Sequence, residues 1–579
     1  MARVAIASYT TASVIPGPHS EGVSRPRTSP ALQRLVSAAK RAWLTSQIEL
    51  RGQYSVQRMM AFDTYRHAAT KRRVLQLLFL SFLPCLLVEM GLEVIPLGSF
   101  DNGLSGSRNF WIRTTIGTFI VTYSLVGQYR FNIPEFDLSI RQLIAVSVLT
   151  TVVVIPVLFL MNVLIGYPMP FFVVLSMVPW TPTVVTLCAY VLKDQLRQNP
   201  ALIISIRRYT SVFIAQTCLI IIYPAYSFLF STNHNYQTAM AALQPIIKLL
   251  LKNWFGYASR HIEDLKPELV VFNVEIFSAL YVATCMQNAA SVYTSFVIMA
   301  VDFLQACMSI KDLNDVLSDR ALKAIIDRCN VGCQRVTTRQ LIPLSVIILH
   351  NNERVRQHKS IQIESCTRNA RTTKGPAATT AIVPASDASE QAIRAKAMPG
   401  PSVPHARLRS AYSIFASRIE VDKSCLEQIA KRLSDREQLV LVKRTLRILH
   451  IAEFTALTEY GEVFVPIAYS VFNIIVFFFP NRHAFTTLAT MTSSDFWYSL
   501  VNVLVYGWLE LVSFMLLNYI LQQKFGISAF RQTAFVLETQ WTIVQLKLTL
   551  WIVIALQFPN SFYGNDFTFQ FQWLKKKDS

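Results

Sequence analysis

Long apolar stretches recur through the chain and constrain its fold more than any other feature. One of them, residues 143–167 (LIAVSVLTTVVVIPVLFLMNVLIGY), contains no charged residue over more than the ~20 residues that a helix needs to cross the hydrocarbon core. A soluble core helix of that length would have a polar face toward water, and this one has none. We therefore predict an all-α fold, a polytopic transmembrane bundle of about ten helices.

The net charge of +20 is concentrated in two places. Residues 1–73 contain 12 Lys and Arg against three acids, and residues 328–447 contain 21 against nine. Basic segments of a membrane protein stay on the cytoplasmic side and attract anionic lipid headgroups by about 1 kcal/mol per Lys or Arg. We expect the partners of these segments to be lipid headgroups. Nucleic acid is disfavoured because no recognition motif accompanies the charge.

Charge and apolarity together divide the chain into five predicted segments. They are a basic cytosolic N-terminal tail with an amphipathic helix (1–73), a first transmembrane block (74–310), a basic and partly disordered cytosolic insertion (311–462), a second transmembrane block (463–558) and an aromatic, basic C-terminal tail (559–579). The first 30 residues also have the Arg-rich, acid-poor composition of a mitochondrial transit peptide, although a disordered cytosolic tail is the favoured interpretation. Within the insertion, a disordered linker is predicted over 366–409 and a second amphipathic helix over 411–457.

Eight crossings are predicted with clear bounds, at residues 74–97, 110–129, 143–167, 171–192, 211–230, 463–479, 497–521 and 535–558. The region between them is ambiguous. Residues 238–255 include Lys248 and Lys252, so this stretch either crosses or lies in the interface. Residues 269–290 and 292–310 form two crossings or a re-entrant pair. The total is therefore nine or eleven crossings.

Charged residues inside crossings are the candidates for a functional site, because each costs about 2.5–3.5 kcal/mol at a helix centre. Glu275 and Asp302, with Gln287 and Gln305 nearby, are predicted to line a shared polar seam. The alternative is that they form interhelical hydrogen bonds with a purely structural role.

Other acids inside or near the crossings have separate interpretations. Glu89 and Glu93 form either a cation or proton site or a pair that reaches headgroups or Arg113. Glu510 stands nearly alone in its crossing. Glu538 and Lys547 share the last crossing, where they either pair with each other or have a role in transport. Three further acids are predicted to be solvated helix ends, namely Glu453, Glu459 and Glu462.

Negative observations narrow the class of protein. The sequence has no nucleotide-binding loop, no HExxH zinc motif, no GxSxG elbow and no potassium-filter signature. The close pair Cys329 and Cys333 has neither CxxC spacing nor His partners. We therefore predict neither a metal nor a cofactor, and an enzyme is disfavoured. Lys576 and Lys577 match a dilysine retrieval signal of the endoplasmic reticulum, which requires a cytosolic C-terminus; a basic juxtamembrane stop gives the same residues.

Two blocks of sequence are similar to a known family. Residues 260–302 (RHIEDLKPELVVFNVEIFSALYVATCMQNAASVYTSFVIMAVD) and 452–469 (AEFTALTEYGEVFVPIAY) resemble an expanded family of uncharacterised multi-pass membrane proteins of oomycetes. The resemblance covers about a tenth of the chain. It implies a polytopic membrane fold, draws attention to Glu275, Asp302, Glu459 and Glu462, and transfers no activity.

These observations lead to two main hypotheses of function. The first is transport or conduction of a small solute or ion through a seam containing Glu275 and Asp302. The second is a non-catalytic membrane scaffold or signalling component whose basic arms bind anionic lipid or protein. A lipid-modifying enzyme is a third. The expected location is the endoplasmic reticulum or the plasma membrane, ahead of the mitochondrion.

Overall fold

The computed structural model describes residues 47–98, 103–104, 106–262, 265–289, 291–317, 320–329, 338–362, 424–571 and 573. Most of the predicted N-terminal tail, the predicted linker at 366–409 and the two terminal lysines, Lys576 and Lys577, lie outside these ranges. Of the predicted basic amphipathic helix, the part from Gln47 onward is described.

The described part of the chain is helical and contains no β-strand, which confirms the all-α prediction. A single antiparallel bridge joins Phe485 to Asn560. The α-helices are Val56–Ala68 (α1), Lys71–Leu80 (α2), Leu83–Glu93 (α3), Arg108–Asn132 (α4), Ile140–Ile165 (α5), Phe172–Val191 (α6), Lys193–Gln198 (α7), Pro200–Thr232 (α8), Gln237–Ala258 (α9), Lys266–Val270 (α10), Ile276–Gln287 (α11), Val292–Leu317 (α12), Arg320–Cys329 (α13), Leu341–Asn351 (α14), Glu353–Arg356 (α15), Asp435–Phe478 (α16), Thr486–Thr490 (α17), Ser493–Phe525 (α18), Ala529–Thr539 (α19) and Trp541–Gln557 (α20).

Shorter helical turns connect these elements. A π-helical segment, Val271–Glu275, joins α10 to α11. The 3₁₀ turns are Ile48–Leu50, His234–Tyr236, Thr338–Gln340, Pro480–Ala484 and Ser561–Tyr563.

Among the described residues, eight helices are long and apolar enough to cross a membrane, and the count becomes nine if the bent pair α19 and α20 forms one span. These helices are compatible with the expected polytopic bundle. The predicted crossing at 110–129 and the ambiguous stretch at 238–255 form the helices α4 and α9. Neither is among the eight helices that are apolar enough to cross a membrane. The reason is composition, because α4 contains Arg108, Arg113 and Arg130, whereas α9 contains Lys248 and Lys252.

The last predicted crossing, residues 535–558, is not one helix. Helix α19 ends at Thr539, and α20 leaves it at an angle of 88°. Side chains of α19 are bonded to the backbone of α16: Gln532 Nε2 donates to the Leu449 carbonyl at 2.8 Å, and Thr533 donates to Ala456. These tertiary bonds hold α19 across α16. A hydropathy pattern has no signal for such a bend.

Helix α16 unites two segments that the sequence pattern separated. The predicted amphipathic helix ended at residue 457 and the next crossing began at 463, but one 44-residue helix runs through both. Its start is fixed by a capping box in which Ser434 and Glu437 satisfy each other's backbone N–H groups. At 1.5 Å per residue it is about 66 Å long, so it extends well beyond a hydrocarbon core of about 30 Å.

Contacts between helix ends define two ends of the bundle. At the first, which we call the basic end, Arg73 of α2 is paired with Glu538, and Arg339 donates to Gln523 at 2.5 Å. At the opposite end, Asn481 donates to the Glu93 carbonyl at 2.7 Å. Gln557 also contacts Glu93 there, so α20 ends on the side away from Lys71.

The buried core of the bundle lies in two central spans. In the 18-residue apolar stretch of Lys266–Gln287, 94% of the residues are buried inside the protein, and in that of α16 the share is 72%. The peripheral spans α6 and Tyr293–Lys311 are each only 17% buried and present apolar side chains outward. Such a surface suits contact with lipid tails. Charged residues on the two central spans therefore lie in the protein interior.

Candidate functional site

Charged side chains from five elements meet in the interior and form what we call the charge cluster. Its members are Lys248 and Lys252 of α9, Glu275 of the π-helical segment, Asp302 of α12, Glu459 and Glu462 of α16, and Glu510 of α18. Two lysines thus face five carboxyl groups. π-Helical segments often occur at functional positions, and here the segment ends at the central carboxylate.

Glu275 is the best-buried member, with no exposed side-chain surface. Lys248 Nζ lies 2.8 Å from its Oε2, and Lys252 contacts its Oε1. The two lysines are four residues apart, so both project from the same face of α9. Each carboxylate oxygen of Glu275 therefore has its own ammonium partner.

Both lysines also have a second partner. Lys248 Nζ lies 2.5 Å from Glu462 Oε1, and Lys252 is paired with Glu49 in the 3₁₀ turn near the basic end. Lys248 consequently links the π-helical segment to α16. The ion pairs tie together elements that are far apart in the chain, which is how the interior tolerates these charges.

Three carboxyl groups form the acidic lobe of the cluster, defined as Asp302, Glu459 and Glu510. Tyr506, one turn before Glu510 on α18, donates its hydroxyl to Asp302 at 2.5 Å. Glu510 lies within electrostatic range of Asp302 and Glu459. No salt bridge joins any of the three to a described cation.

One oxygen in the acidic lobe lacks a partner. Glu459 is only 3% exposed, its carboxyl accepts a hydrogen bond from Ser513, and its Oε2 has no hydrogen-bond partner. A buried acceptor of this kind costs about 1–3 kcal/mol. It is therefore an acceptor open to a proton or a cation.

The structure brings together some of the residues singled out from the sequence and adds others. Glu275 and Asp302 both belong to the cluster, but Glu275 pairs with lysines that the sequence pattern assigned no role. Glu453, Glu459 and Glu462 are buried, so the prediction of solvated helix ends was wrong. Because α16 is continuous, these acids lie in its middle. The one available signal was the four-residue spacing of Lys248 and Lys252 in an apolar stretch.

Gln287 does not join the charge cluster as expected, and Gln305 makes no hydrogen bond to it. Gln287 is 12 residues beyond Glu275, about 18 Å along a helix, and accepts a hydrogen bond from Tyr469. Gln305 has an Oε1 atom without a hydrogen-bond partner. The seam predicted around these amides is thus replaced by carboxyl groups from α16 and α18.

Glu89 and Glu93 form a separate polar group at the opposite end. Arg113 Nη2 lies 2.5 Å from Glu93 Oε1, which is the pairing alternative predicted for these acids. Gln557 donates to Glu89 at 2.5 Å and to Glu93 at 2.6 Å. Both carboxyl groups are fully buried, so neither reaches the headgroups. Asn481 Nδ2 also donates to Glu93 Oε2 at 3.0 Å, so one arginine and two amides hold the two acids together.

A third buried group lies toward the basic end. Arg58 contacts Glu268 and lies 2.7 Å from Glu453 Oε1, and Tyr54 donates its hydroxyl to Glu453. Burial, with the Glu453 carboxylate adding to it, raises the pKa of Tyr54 well above its usual value, so this hydroxyl remains a donor.

The pairing alternative for Glu538 and Lys547 does not occur. Glu538 pairs with Arg73, whereas Lys547 is 1% exposed and its Nζ has no hydrogen-bond partner. The 88° bend separates the two residues, because Glu538 lies on α19 and Lys547 on α20.

Within the ranges that the structure describes, no group of three or more His, Cys, Asp or Glu residues is arranged to hold a metal ion. The described part of the chain is an all-helical fold with eight helices long and apolar enough for a bilayer, which indicates the class of integral membrane proteins. No protein family, curated protein or solved structure matches the chain.

Proposed function

We propose that the protein is a transporter or channel for a small solute or ion, and that the acidic lobe exchanges protons or a monovalent cation. The observation that carries the proposal is the unpartnered Oε2 of Glu459 within a group of buried and half-buried carboxyl groups that outnumber their lysines. Intramembrane ionisable residues commonly mark ion pathways and proton relays.

Charge neutrality supports this proposal. Lys248 and Lys252 already pair with three carboxylates, those of Glu275, Glu462 and Glu49. The carboxyl groups of the acidic lobe remain beside one another. Like charges held this close in a medium of low dielectric constant disfavour simultaneous ionisation. Protons or a bound cation must therefore neutralise the lobe. A change in the lobe's surroundings would release them.

The cavity that borders the lobe at Asp302 is small. A cavity of about 20 Å³ borders Asp302, which is room for about one water molecule. The larger cavities of about 250 and 120 Å³ are not lined by any member of the charge cluster. Exchange with either side would then need helices to move, as in the rocking of transporter bundles.

The first test replaces Asp302 with Asn. This change removes the charge and keeps an oxygen that accepts from Tyr506, so we expect the fold to persist and flux to fall to that of protein-free vesicles. The measurement is proton flux down an imposed pH gradient, read by a pH dye trapped in vesicles containing the purified protein. Glu459→Gln should give the same loss.

The matched control is Asp495→Asn, the same substitution at the exposed first turn of α18, where flux should stay at the wild-type rate. Elution volume and thermal midpoint of each variant show that it is folded. If the wild-type protein leaves the pH gradient intact, the proposal is overturned for protons. The same assay with Na⁺ and K⁺ gradients tests it for monovalent cations. Unchanged flux in Asp302→Asn and Glu459→Gln would exclude the lobe.

The topology that accompanies this proposal places the basic end in the cytosol. The eight apolar spans, the bent pair, α4 and α9 then make eleven crossings. Trp573 donates to the Pro168 carbonyl at 2.8 Å, at the opposite end, so the C-terminus would not be cytosolic. The proposed location is the endoplasmic reticulum or the plasma membrane. In this topology the dilysine residues would not face the cytosol and could not act as a retrieval signal.

Terminal tags test this topology. In intact cells, antibody should reach an N-terminal tag only after the plasma membrane is permeabilised. A C-terminal tag should be protected from protease that acts in the cytosol. A tag inserted between residues 133 and 139 serves as an internal cytosolic marker, because this loop lies at the basic end with Gln195. Both termini on one side would contradict the odd number of crossings.

A second candidate function is the membrane scaffold, and one observation favours it. Glu275 is sealed in ion pairs with two lysines inside a packed interface, as expected for a structural role. We infer that such a scaffold would bind anionic lipid through its basic segments. In that case a soluble fragment of residues 1–73 should sediment with vesicles of anionic phospholipid. The full-length protein should show no flux. The resemblance to oomycete membrane proteins is compatible with both candidates.

A further inference from the structure

A cavity of about 250 Å³ lies at the opposite end of the bundle, apart from the charge cluster. It is bordered by α8, α11, α16 and the two end segments around Phe485 and Phe558. A cavity of about 150 Å³ already holds a benzene molecule. The space is therefore sufficient for a solute of roughly the size of a monosaccharide.

The lining of this cavity is uncharged. Among the described residues that border it there is no Asp, Glu, Lys, Arg or His. Amides and hydroxyls are supplied by Asn288, Asn473 and Asn565 and by Tyr281. A charged ligand would find no counter-ion, whereas a neutral ligand with hydroxyl groups would find both donors and acceptors.

Two of these polar groups are not satisfied by the protein. Tyr281 is 7% exposed and its hydroxyl makes no hydrogen bond with the described residues. Asn565 Oδ1 is buried without a hydrogen-bond partner. Buried polar groups are normally paired, so unpaired ones at a cavity indicate groups that a ligand or water satisfies.

Aromatic rings complete the lining. Phe228 and Phe567 stack with ring centroids 5.6 Å apart, and Phe567 also stacks on Phe558. Flat apolar rings beside a few placed hydrogen-bonding groups are the usual composition of a small-molecule site. The C–H faces of a sugar or polyol suit such rings, and its hydroxyl groups suit the amides.

We propose that this cavity binds a neutral polyhydroxylated solute of about hexose size, with Tyr281 and Asn473 as hydrogen-bonding residues. Asn473 Nδ2 donates to the Tyr469 carbonyl, which leaves Oδ1 as an acceptor for a ligand hydroxyl. The site is independent of the proposed ion pathway, because no member of the charge cluster borders it.

Equilibrium dialysis of the full-length protein with radiolabelled D-glucose and D-mannitol tests this proposal. The protein is kept in a polyoxyethylene detergent, because the headgroups of maltoside detergents are themselves polyols. We expect saturable binding of at least one polyol and none of D-gluconate, whose carboxylate would be buried without a counter-ion. Tyr281→Phe and Asn473→Leu should each weaken binding by about three- to tenfold, the effect of one hydrogen bond.

Tyr223→Phe is the matched control. Tyr223 stacks on Tyr281 with ring centroids 5.6 Å apart but does not border the cavity, so binding should equal that of the wild type. All three variants should keep the wild-type thermal midpoint within the spread of repeats. Absence of polyol binding, or equal binding in Tyr281→Phe, Asn473→Leu and Tyr223→Phe, would overturn the proposal. Because the binding assay does not depend on flux, its result can be interpreted even if the transport assay is negative.

Discussion

Glu275→Gln is expected to lower the free energy of unfolding by about 3–5 kcal/mol, the typical cost of removing one member of a buried ion pair. The substitution keeps the size of the side chain and removes the negative charge that lies between Lys248 and Lys252. Both ammonium groups would stay buried, each with only one carboxylate left. Lys252 would depend on Glu49 and Lys248 on Glu462.

The measurement is thermal and chemical unfolding of the purified protein in detergent. The control is Glu538→Gln, which breaks the pair with Arg73, a residue whose side chain is 56% exposed; exposed pairs contribute about 0–1 kcal/mol. A double variant, Glu275→Gln with Lys252→Gln, should recover part of the loss because one unpaired ammonium is gone. Equal stability of Glu275→Gln and the wild type would show that the lysines do not depend on Glu275.

Arg58→Met should destabilise the basic end of the bundle to a similar extent, by about 3–5 kcal/mol. Arg58 is the cation that contacts both Glu268 and Glu453, and its guanidinium lies 5.1 Å from the Tyr54 ring centroid. Methionine fills the space of the aliphatic stem and removes the positive charge that contacts both buried carboxylates. Loss of this contact loosens α1 from α16.

Arg66→Met provides the comparison on the same helix. Arg66 pairs only with Asp63, three residues away, at a partly exposed position, so the expected cost is about 1 kcal/mol or less. Unfolding in detergent is again the measurement, and proteolysis of the segment before Lys71 reports local opening. A cost for Arg58→Met no greater than that for Arg66→Met would contradict the assigned role of Arg58.

The spans themselves could be predicted from the sequence because apolarity is a local property. Residues 143–167 are apolar on every face, and a helix, Ile140–Ile165, forms there with little dependence on what surrounds it. In the structure this helix begins earlier than the predicted residue 143, at a capping box formed by Ser139 and Gln142. Glu275 and Asp302 stood out for the same reason, as charges where hydrocarbon disfavours them.

The partners of those charges could not be predicted in the same way. Lys248 and Glu462 are 214 positions apart in the chain, and their contact exists only because α9 and α16 are neighbours in space. The bend between α19 and α20 likewise depends on bonds from Gln532 to α16. The burial of Glu459 follows from the continuity of α16, which no composition boundary reveals.

By itself the sequence determined that this chain is helical, that it has apolar spans suited to a bilayer, and that a few acids lie within them, because these properties depend on residues close together in the chain. Only the tertiary structure decided which charges meet, which acids remain without a cation, and where cavities form. Those outcomes depend on the packing of distant helices, where each buried charge must find a partner that local sequence does not specify.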